Sequence, residues 1–332
     1  MPINGKARSA FARNRLCLYY RQPAERDRWI RGDRFVRPMA RRIIRGKPMA
    51  SGIGKVFQNL CLGLDRLGIE YLVNPPFAHL KQTDRVGVLG RGRYALEGYD
   101  RPIPIVAGIA LMSHPSEWPT LCTDYPVTRY LQHSAWAADI YRPYFGDRCA
   151  IWPVGIDTEH WVPGSPKDID LLVYDKIRWN RGADKPALLQ QVLQSIAYRK
   201  LRAVTIRYGE YSEARYRRLL ARAKGMIFLC EHESQGLACQ ECLSCDVPVL
   251  AWDQGFCLDP NRFVWGQPEI PATSVPYFDE RCGERFAGSD QFEDKFAVFL
   301  SKIAAGTYRP REFILENLTL AGSARQFLSF FT

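Results

Sequence analysis

The chain has 332 residues, of which 46% are hydrophobic and 24% charged, with a formal charge of +11. That length holds one large or two ordinary hydrophobic cores, and its longest apolar runs, such as Ile103–Met112, are far too short to span a bilayer. Residues 1–47 carry 14 Lys and Arg against three acids, so the whole excess of positive charge lies there and the remainder is net neutral. This stretch suits phosphates or an anionic lipid surface, whereas nucleic acid is not an expected partner because no zinc-finger spacing or single-strand motif accompanies the charge.

The first residues lack an apolar core, so no secretory signal is expected. Leu16–Tyr20 is a short apolar run that predicts a first strand. An Arg-rich, Pro-containing stretch follows. Ser51-Gly-Ile-Gly54 then reads as a Gly-rich turn, and Val56, Phe57, Leu60, Leu62, Leu64 and Leu67 give helical periodicity behind it, ended by Gly68. Strands are predicted at Ile69–Val73, Val86–Leu89 and Ile103–Ala107. The run from Tyr130 reads as a strand passing into a helix capped by Ser134, and Cys149–Val154 as another strand. Pro163-Gly-Ser-Pro166 is the clearest linker, and it sets the expected boundary between a domain at 1–163 and one at 164–315, with a C-terminal helix at 316–332 packing back toward the first domain.

Beyond the linker the chain alternates. Strands are predicted at Ile169–Tyr174, Ala203–Tyr208, Met226–Cys230 and Val247–Trp252, with helices at 184–199, 212–224 and Leu237–Ser244. This order implies βαβ units and a parallel sheet, whose sites lie beyond the carboxyl ends of the strands. Ten cysteines do not make a disulfide scaffold in a chain this long. Several fall inside predicted elements beside apolar residues, as small hydrophobes of a reducing cytoplasm. Cys239, Cys242 and Cys245 form C-x2-C-x2-C, a thiolate spacing, but position 249, where an iron–sulfur run needs its next Cys, is Val. Asp157 reads as an Asx turn or helix cap.

The most informative segment runs from Phe228 to Leu250. An apolar strand ends in acids, a turn with Gly236 follows, and a helix carries Glu241. Glu233 sits at the strand–helix junction. Backbone N–H groups along Ser234, Gln235, Gly236 and Leu237 at the helix start suit a diphosphate. The carboxylates of Glu233 and Glu241 suit sugar and ribose hydroxyls.

Glu233 and Glu241 with their seven intervening residues, continued through Cys245-Asp-Val-Pro-Val-Leu250, resemble the E-x7-E signature of family 4-like retaining glycosyltransferases. Trp152-Pro-Val-Gly-Ile-Asp-Thr-Glu-His-Trp-Val-Pro163 is similar to their interdomain segment, and Ser51-Gly-Ile-Gly-Lys-Val-Phe57 to their Gly-rich first loop. The resemblance is patchy and covers roughly residues 51–330. It implies an α/β protein of the GT-B fold, two Rossmann-like domains facing each other across a cleft. It also implies a nucleotide diphosphate sugar donor bound by the second domain, and a glycan, lipid or small-molecule acceptor on the first. Lys176, with Arg178 as a substitute, and Arg181 match the family's basic pair for the donor diphosphate. His114 or His133, with His232 as a third option, takes the place of its histidine near the donor sugar, with Glu233 at the reacting sugar and Gly52 and Gly54 in the first loop. No metal or other cofactor is implied. The expected location is cytoplasmic, peripheral to a membrane through residues 1–47. Asp175 and Cys245 stand where the family has Gly, which motivates the alternative of a degenerate nucleotide-sugar-binding protein. A hydrolase or epimerase on the same scaffold is a further alternative.

Overall fold

Parallel strands need crossover connections, and the alternation of short apolar runs with amphipathic stretches supplies them twice. The computed structural model describes residues 14–21, 52–179 and 185–331. Within these, the chain forms two compact units. The first comprises the described residues up to 133 together with 138–152 and 323–331; the second comprises 134–137 and 153–322.

The first unit holds strands β1 (Leu16–Tyr19), β2 (Tyr71–Val73), β3 (Arg85–Val88), β4 (Ile105–Gly108), β5 (Val127–Gln132) and β6 (Cys149–Ile151), all parallel, in the order β2-β1-β3-β4-β5-β6. Helix α1 (Gly52–Arg66) joins β1 to β2 in chain order and buries Val56, Phe57, Leu60, Cys61 and Leu64, a 3–4 spacing on one face. Helix α2 (Ala135–Phe145) lies between β5 and β6 in the chain.

Some boundaries differ from expectation. Gly52 and Gly54 are not in a turn ahead of α1 but in its first turn. A Cβ at Gly52 would meet nothing within 4 Å, so no close approach demands glycine there. The predicted Ser134 cap does not form, since Ser134 Oγ is buried with no hydrogen-bond partner among the described residues. β6 ends at Ile151 because Pro153 has no N–H to donate.

The second unit holds β7 (Ile169–Lys176), β8 (Ala203–Arg207), β9 (Ala223–Cys230), β10 (Val249–Trp252) and β11 (Gly283–Phe286), also parallel, in the order β11-β10-β9-β7-β8. Alternate residues of each strand serve opposite faces. Leu171, Val173, Ile227 and Leu229 pack with α3 (Lys185–Tyr198) and α6 (Ser289–Ala305), through Val192, Ile196, Phe292, Phe296 and Phe299. Leu172, Tyr174, Phe228 and Cys230 pack with α4 (Glu213–Arg222), α5 (Leu237–Ser244) and α7 (Pro310–Asn317). Ser212 caps α4, its Oγ accepting from Arg215 N–H at 3.2 Å.

The last helix, α8 (Leu320–Ser329), begins in the second unit and joins the first from Ser323 onward. There Trp152 Nε1 donates to the Ser323 carbonyl at 3.0 Å, and the Phe327 ring packs 5.1 Å from that of Trp152. All ten cysteines are free. Cys239 and Cys242 on α5 and Cys245 at its C-terminus are core residues, and among the described residues no group of His, Cys, Asp and Glu is arranged to hold a metal ion. No helix of the described residues is long and apolar enough to cross a membrane.

Candidate functional site

β7 and β9 are neighbours in the sheet, but the chain leaves them toward opposite faces, from β7 to α3 and from β9 to α5. The two connections therefore diverge above the carboxyl ends of these strands, where α/β sheets place their ligands. Lys176 and Cys230 are paired across this edge, so the two strands end level there.

Lys176 and Glu233 meet there as an ion pair, with side chains only 11% and 15% exposed. Burial disfavours the ammonium, but the Glu233 carboxylate and then the Cys230 sulfur outweigh it and hold the Lys176 pKa above the ordinary lysine value. The Lys176 ammonium also lies 4.5 Å from the centroid of the Tyr208 ring, and the Arg178 guanidinium 5.4 Å from it, so one aromatic ring serves two cations. Tyr208 is fixed by its N–H, which donates to the Asp175 carbonyl at 2.9 Å. Asp175 itself forms an Asx turn, Oδ1 accepting from Ile177 N–H at 3.2 Å.

Glu233 is held through its backbone on two sides. Its N–H donates to the Thr273 carbonyl at 2.9 Å, and its carbonyl accepts from Trp136 Nε1 at 3.0 Å. Asp253 braces the first contact, accepting from Thr273 Oγ1 at 2.7 Å and Ser274 N–H at 2.9 Å. Gly236 then turns the chain into α5 at φ +81°, a left-handed conformation that favours glycine. Its position lies against Glu233, with 3.7 Å between the Cβ that a side chain would add there and Glu233 Cβ. Leu237 opens α5 half-buried, Ser234 is exposed, and Glu241 is buried in the second turn. Next to this pocket Tyr174 and Tyr211 share a 2.6 Å hydroxyl hydrogen bond, and burial pushes both phenols up so that they stay protonated.

Other predicted residues have structural partners. The Gln235 side chain is tied to Val154, with Nε2 donating to its carbonyl at 2.5 Å and Oε1 accepting its N–H at 2.9 Å. Asp157 forms the expected Asx turn, Oδ1 accepting from Glu159 and His160 N–H groups at 3.2 Å. In the first unit His114 is buried and caps the 3-10 turn Pro115–Glu117, its Nδ1 2.7 Å from Ser116 Oγ. His133 is buried too, its Nδ1 3.2 Å from the Trp152 carbonyl, and burial pushes its pKa down to about 4 against that hydrogen bond. Arg178 is exposed, and Arg181 lies outside the described residues.

Glu231 is not among the expected site residues, whereas His232 is the third candidate histidine. Glu231, fully buried, accepts Arg178 N–H at 2.7 and 2.9 Å and Trp179 N–H at 3.0 Å, fixing the connection after β7 to the end of β9. Two acids one residue apart just beyond a strand end were the available signal, but which of them supports and which is presented is set by the fold of the loop after β9. His232, between the two acids, stacks on Trp179 at 4.7 Å with planes 3° apart and meets Trp136 edge-on at 5.7 Å. Its Nδ1 accepts from Leu258 N–H at 3.4 Å, which leaves Nε2 to donate to Cys257 Sγ, also at 3.4 Å.

No protein-family model matches the chain, and no curated protein does. Solved structures do. Sucrose-phosphate synthase from Thermosynechococcus elongatus matches with a TM-score of 0.51 and 12% identity, over 96% of this chain and 98% of that one. WaaG, a glycosyltransferase involved in lipopolysaccharide biosynthesis, matches with the same score and identity over 96% and 99%. The fold is GT-B. A variant of S. aureus TarM matches the same GT-B fold with a TM-score of 0.50 and 12% identity, and the chain spans 59% of that protein's length.

Proposed function

We propose that the chain is a retaining glycosyltransferase of the family 4-like kind, moving a sugar from a nucleotide diphosphate donor to a glycan, lipid or small-molecule hydroxyl. The observation that carries this reading is the Lys176–Glu233 pair above β7 and β9, with the start of α5 and the buried Glu241 beside it. Donor binding exchanges partners. The diphosphate takes the Lys176 ammonium, with Arg178, Arg181 and the N–H groups at Ser234–Leu237 as further ligands. Glu233 then accepts from hydroxyls of the donor sugar, and Glu241 from the ribose. As the bond from the anomeric carbon to the diphosphate oxygen breaks, Lys176 stabilises the leaving charge. The acceptor hydroxyl attacks from the face the diphosphate vacates, and its proton passes to a diphosphate oxygen. This route requires no metal or other cofactor.

We assign the acceptor to the first domain, with Gly52, Gly54 and the basic residues 1–47, and the donor to the second. His114 and His133 are the candidates for a histidine at the donor sugar. The basic stretch also suits an anionic lipid surface, in keeping with a cytoplasmic, membrane-peripheral enzyme.

The test is nucleotide diphosphate release from UDP-, GDP-, ADP- and TDP-sugars, with and without glycan and lipid acceptors, by wild type and Glu233→Ala. One donor is expected to be turned over, with a loss of about 100-fold or more in the variant. Donor binding without turnover would favour the nucleotide-sugar-binding alternative, and release independent of every acceptor would favour a hydrolase.

A further inference from the structure

Two anions call on the Lys176 ammonium. The proposed transfer gives it to the donor diphosphate, yet it is the ion-pair partner of Glu233. Both side chains of the pair are largely buried, and in such surroundings a charge that loses its partner is left at high cost. The Tyr208 ring on which the ammonium also lies attracts it but carries no charge, so it does not stand in for the carboxylate. A nucleotide that takes Lys176 therefore binds against the cost of leaving Glu233 alone.

The frame around the pair does not depend on it. The Glu233 backbone is held by the Thr273 carbonyl, 2.9 Å from its N–H, and by Trp136 Nε1, 3.0 Å from its carbonyl. On the other side the connection after β7 is held by Glu231, which accepts the Arg178 and Trp179 N–H groups at 2.7 to 3.0 Å. Trp179 is held a second time by its stack on His232. Parting Lys176 from Glu233 thus breaks the pair alone and leaves both backbones where they stand.

Two ligands that share the diphosphate then differ. A nucleotide diphosphate sugar brings hydroxyls that donate to the parted Glu233 carboxylate. A free nucleoside diphosphate brings none, and its unesterified terminal phosphate sets more negative charge beside a carboxylate of the same sign.

We propose that Glu233 competes with the nucleotide for Lys176, so that the site discriminates against the free nucleoside diphosphate, the product of transfer, and favours the sugar-bearing donor. The proposal rests on the nucleotide-sugar reading of this site. It gives the pair a part in turnover. Once the sugar has left, Glu233 has lost its hydroxyls and takes Lys176 back, which releases the product. The expected sign is the reverse of that for an ordinary binding residue, because removing the Glu233 charge strengthens nucleotide binding while turnover falls.

The test is calorimetry on the full chain with UDP, GDP, ADP and TDP, for wild type, Glu233→Gln, Lys176→Met and the double variant. At least one nucleoside diphosphate is expected to bind Glu233→Gln about tenfold tighter, or more, than wild type, which a merely damaged site would not do. A nucleotide that binds only the variant has the same meaning. With Lys176→Met already present, Glu233→Gln is expected to give no comparable gain, since the double-mutant cycle isolates the coupling between the two side chains. Equal or weaker binding by Glu233→Gln overturns the proposal. So does a gain of the same size without Lys176, which would trace it to repulsion between Glu233 and the phosphates. If none of the four nucleotides binds either wild type or Glu233→Gln, the nucleotide reading of the site fails and the proposal fails with it. Should Glu233→Gln unfold the chain, Glu233→Ser, which frees space for water around the ammonium, carries the same expectation.

Discussion

At residue scale the most exacting position is His232. Its ring lies flat on Trp179 and edge-on to Trp136, and burial, only partly opposed by Glu233 and Asp259, pushes its pKa from the usual 6.5 down to about 4. A base whose folded pKa is depressed binds its proton more readily when unfolded. Its contribution to stability is therefore complete above the unfolded pKa and is lost as pH falls from about 6.5 toward 4. By pH 5 the loss is about 2 kcal/mol. His232→Phe keeps the stacking and removes the titration. Urea unfolding of both proteins at pH 7.5 and pH 5 should show the pH-dependent drop shrinking by that amount in the variant. An unchanged drop would mean that the imidazole is not held neutral. His133, also pushed to about 4, acts in the same direction in the first unit and remains in both proteins.

At element scale, backbone approach sets what the second sheet tolerates. β11 pairs with β10 through Gly283 opposite Val249. Gly283 has φ +142°, and a Cβ there would stand 1.9 Å from the Val249 carbonyl oxygen, which is backbone and cannot swing aside. Gly283→Ala must therefore displace β11 from the sheet edge, at a cost of about 3 kcal/mol or more. A denaturation midpoint within error of wild type would contradict this geometry. Gly236 is a milder case, because its φ of +81° is strained for other residues while the nearest atoms to an added Cβ are 3.7 Å away. The same logic explains why β10 begins at Val249 and not at Val247. Pro248 has no N–H for the ladder, although its carbonyl still accepts from Met226.

For the whole molecule the C-terminal helix is decisive, because residues 323–331 complete the first unit although the chain reaches them only after building the second. Phe327 is fully buried there, packed on Trp152 and over β3, where Gly87 leaves the room its ring needs. Phe327→Ala should cost about 3–5 kcal/mol through lost burial and the cavity left behind. Amide hydrogen exchange localises the effect, with protection falling in β1 and β3 but not in β9 and β10. Uniform loss across both sheets would argue that α8 does not serve the first unit specifically.

The sequence by itself determined the element order, because apolar runs of strand length and helical 3–4 spacing are local properties. Helix α5 at Leu237–Ser244, helix α4 within 212–224, and the run of parallel strands on either side of Pro163–Pro166 were legible in it. β11 was not, since Gly283-Glu-Arg-Phe286 is too polar to stand out and is a strand only because β10 offers it a ladder. α6 could have been found from Phe292, Phe296 and Phe299 on one face. The two glutamates around α5 were visible as a spacing, but their surroundings were not. That Lys176 meets Glu233, that Tyr208 lies under two cations, and that Glu231 is spent on backbone N–H groups follow from the order β9-β7-β8. Strand order joins residues far apart in the chain through hydrogen bonds between backbones, which carry no side-chain signature. Only the tertiary structure could decide it.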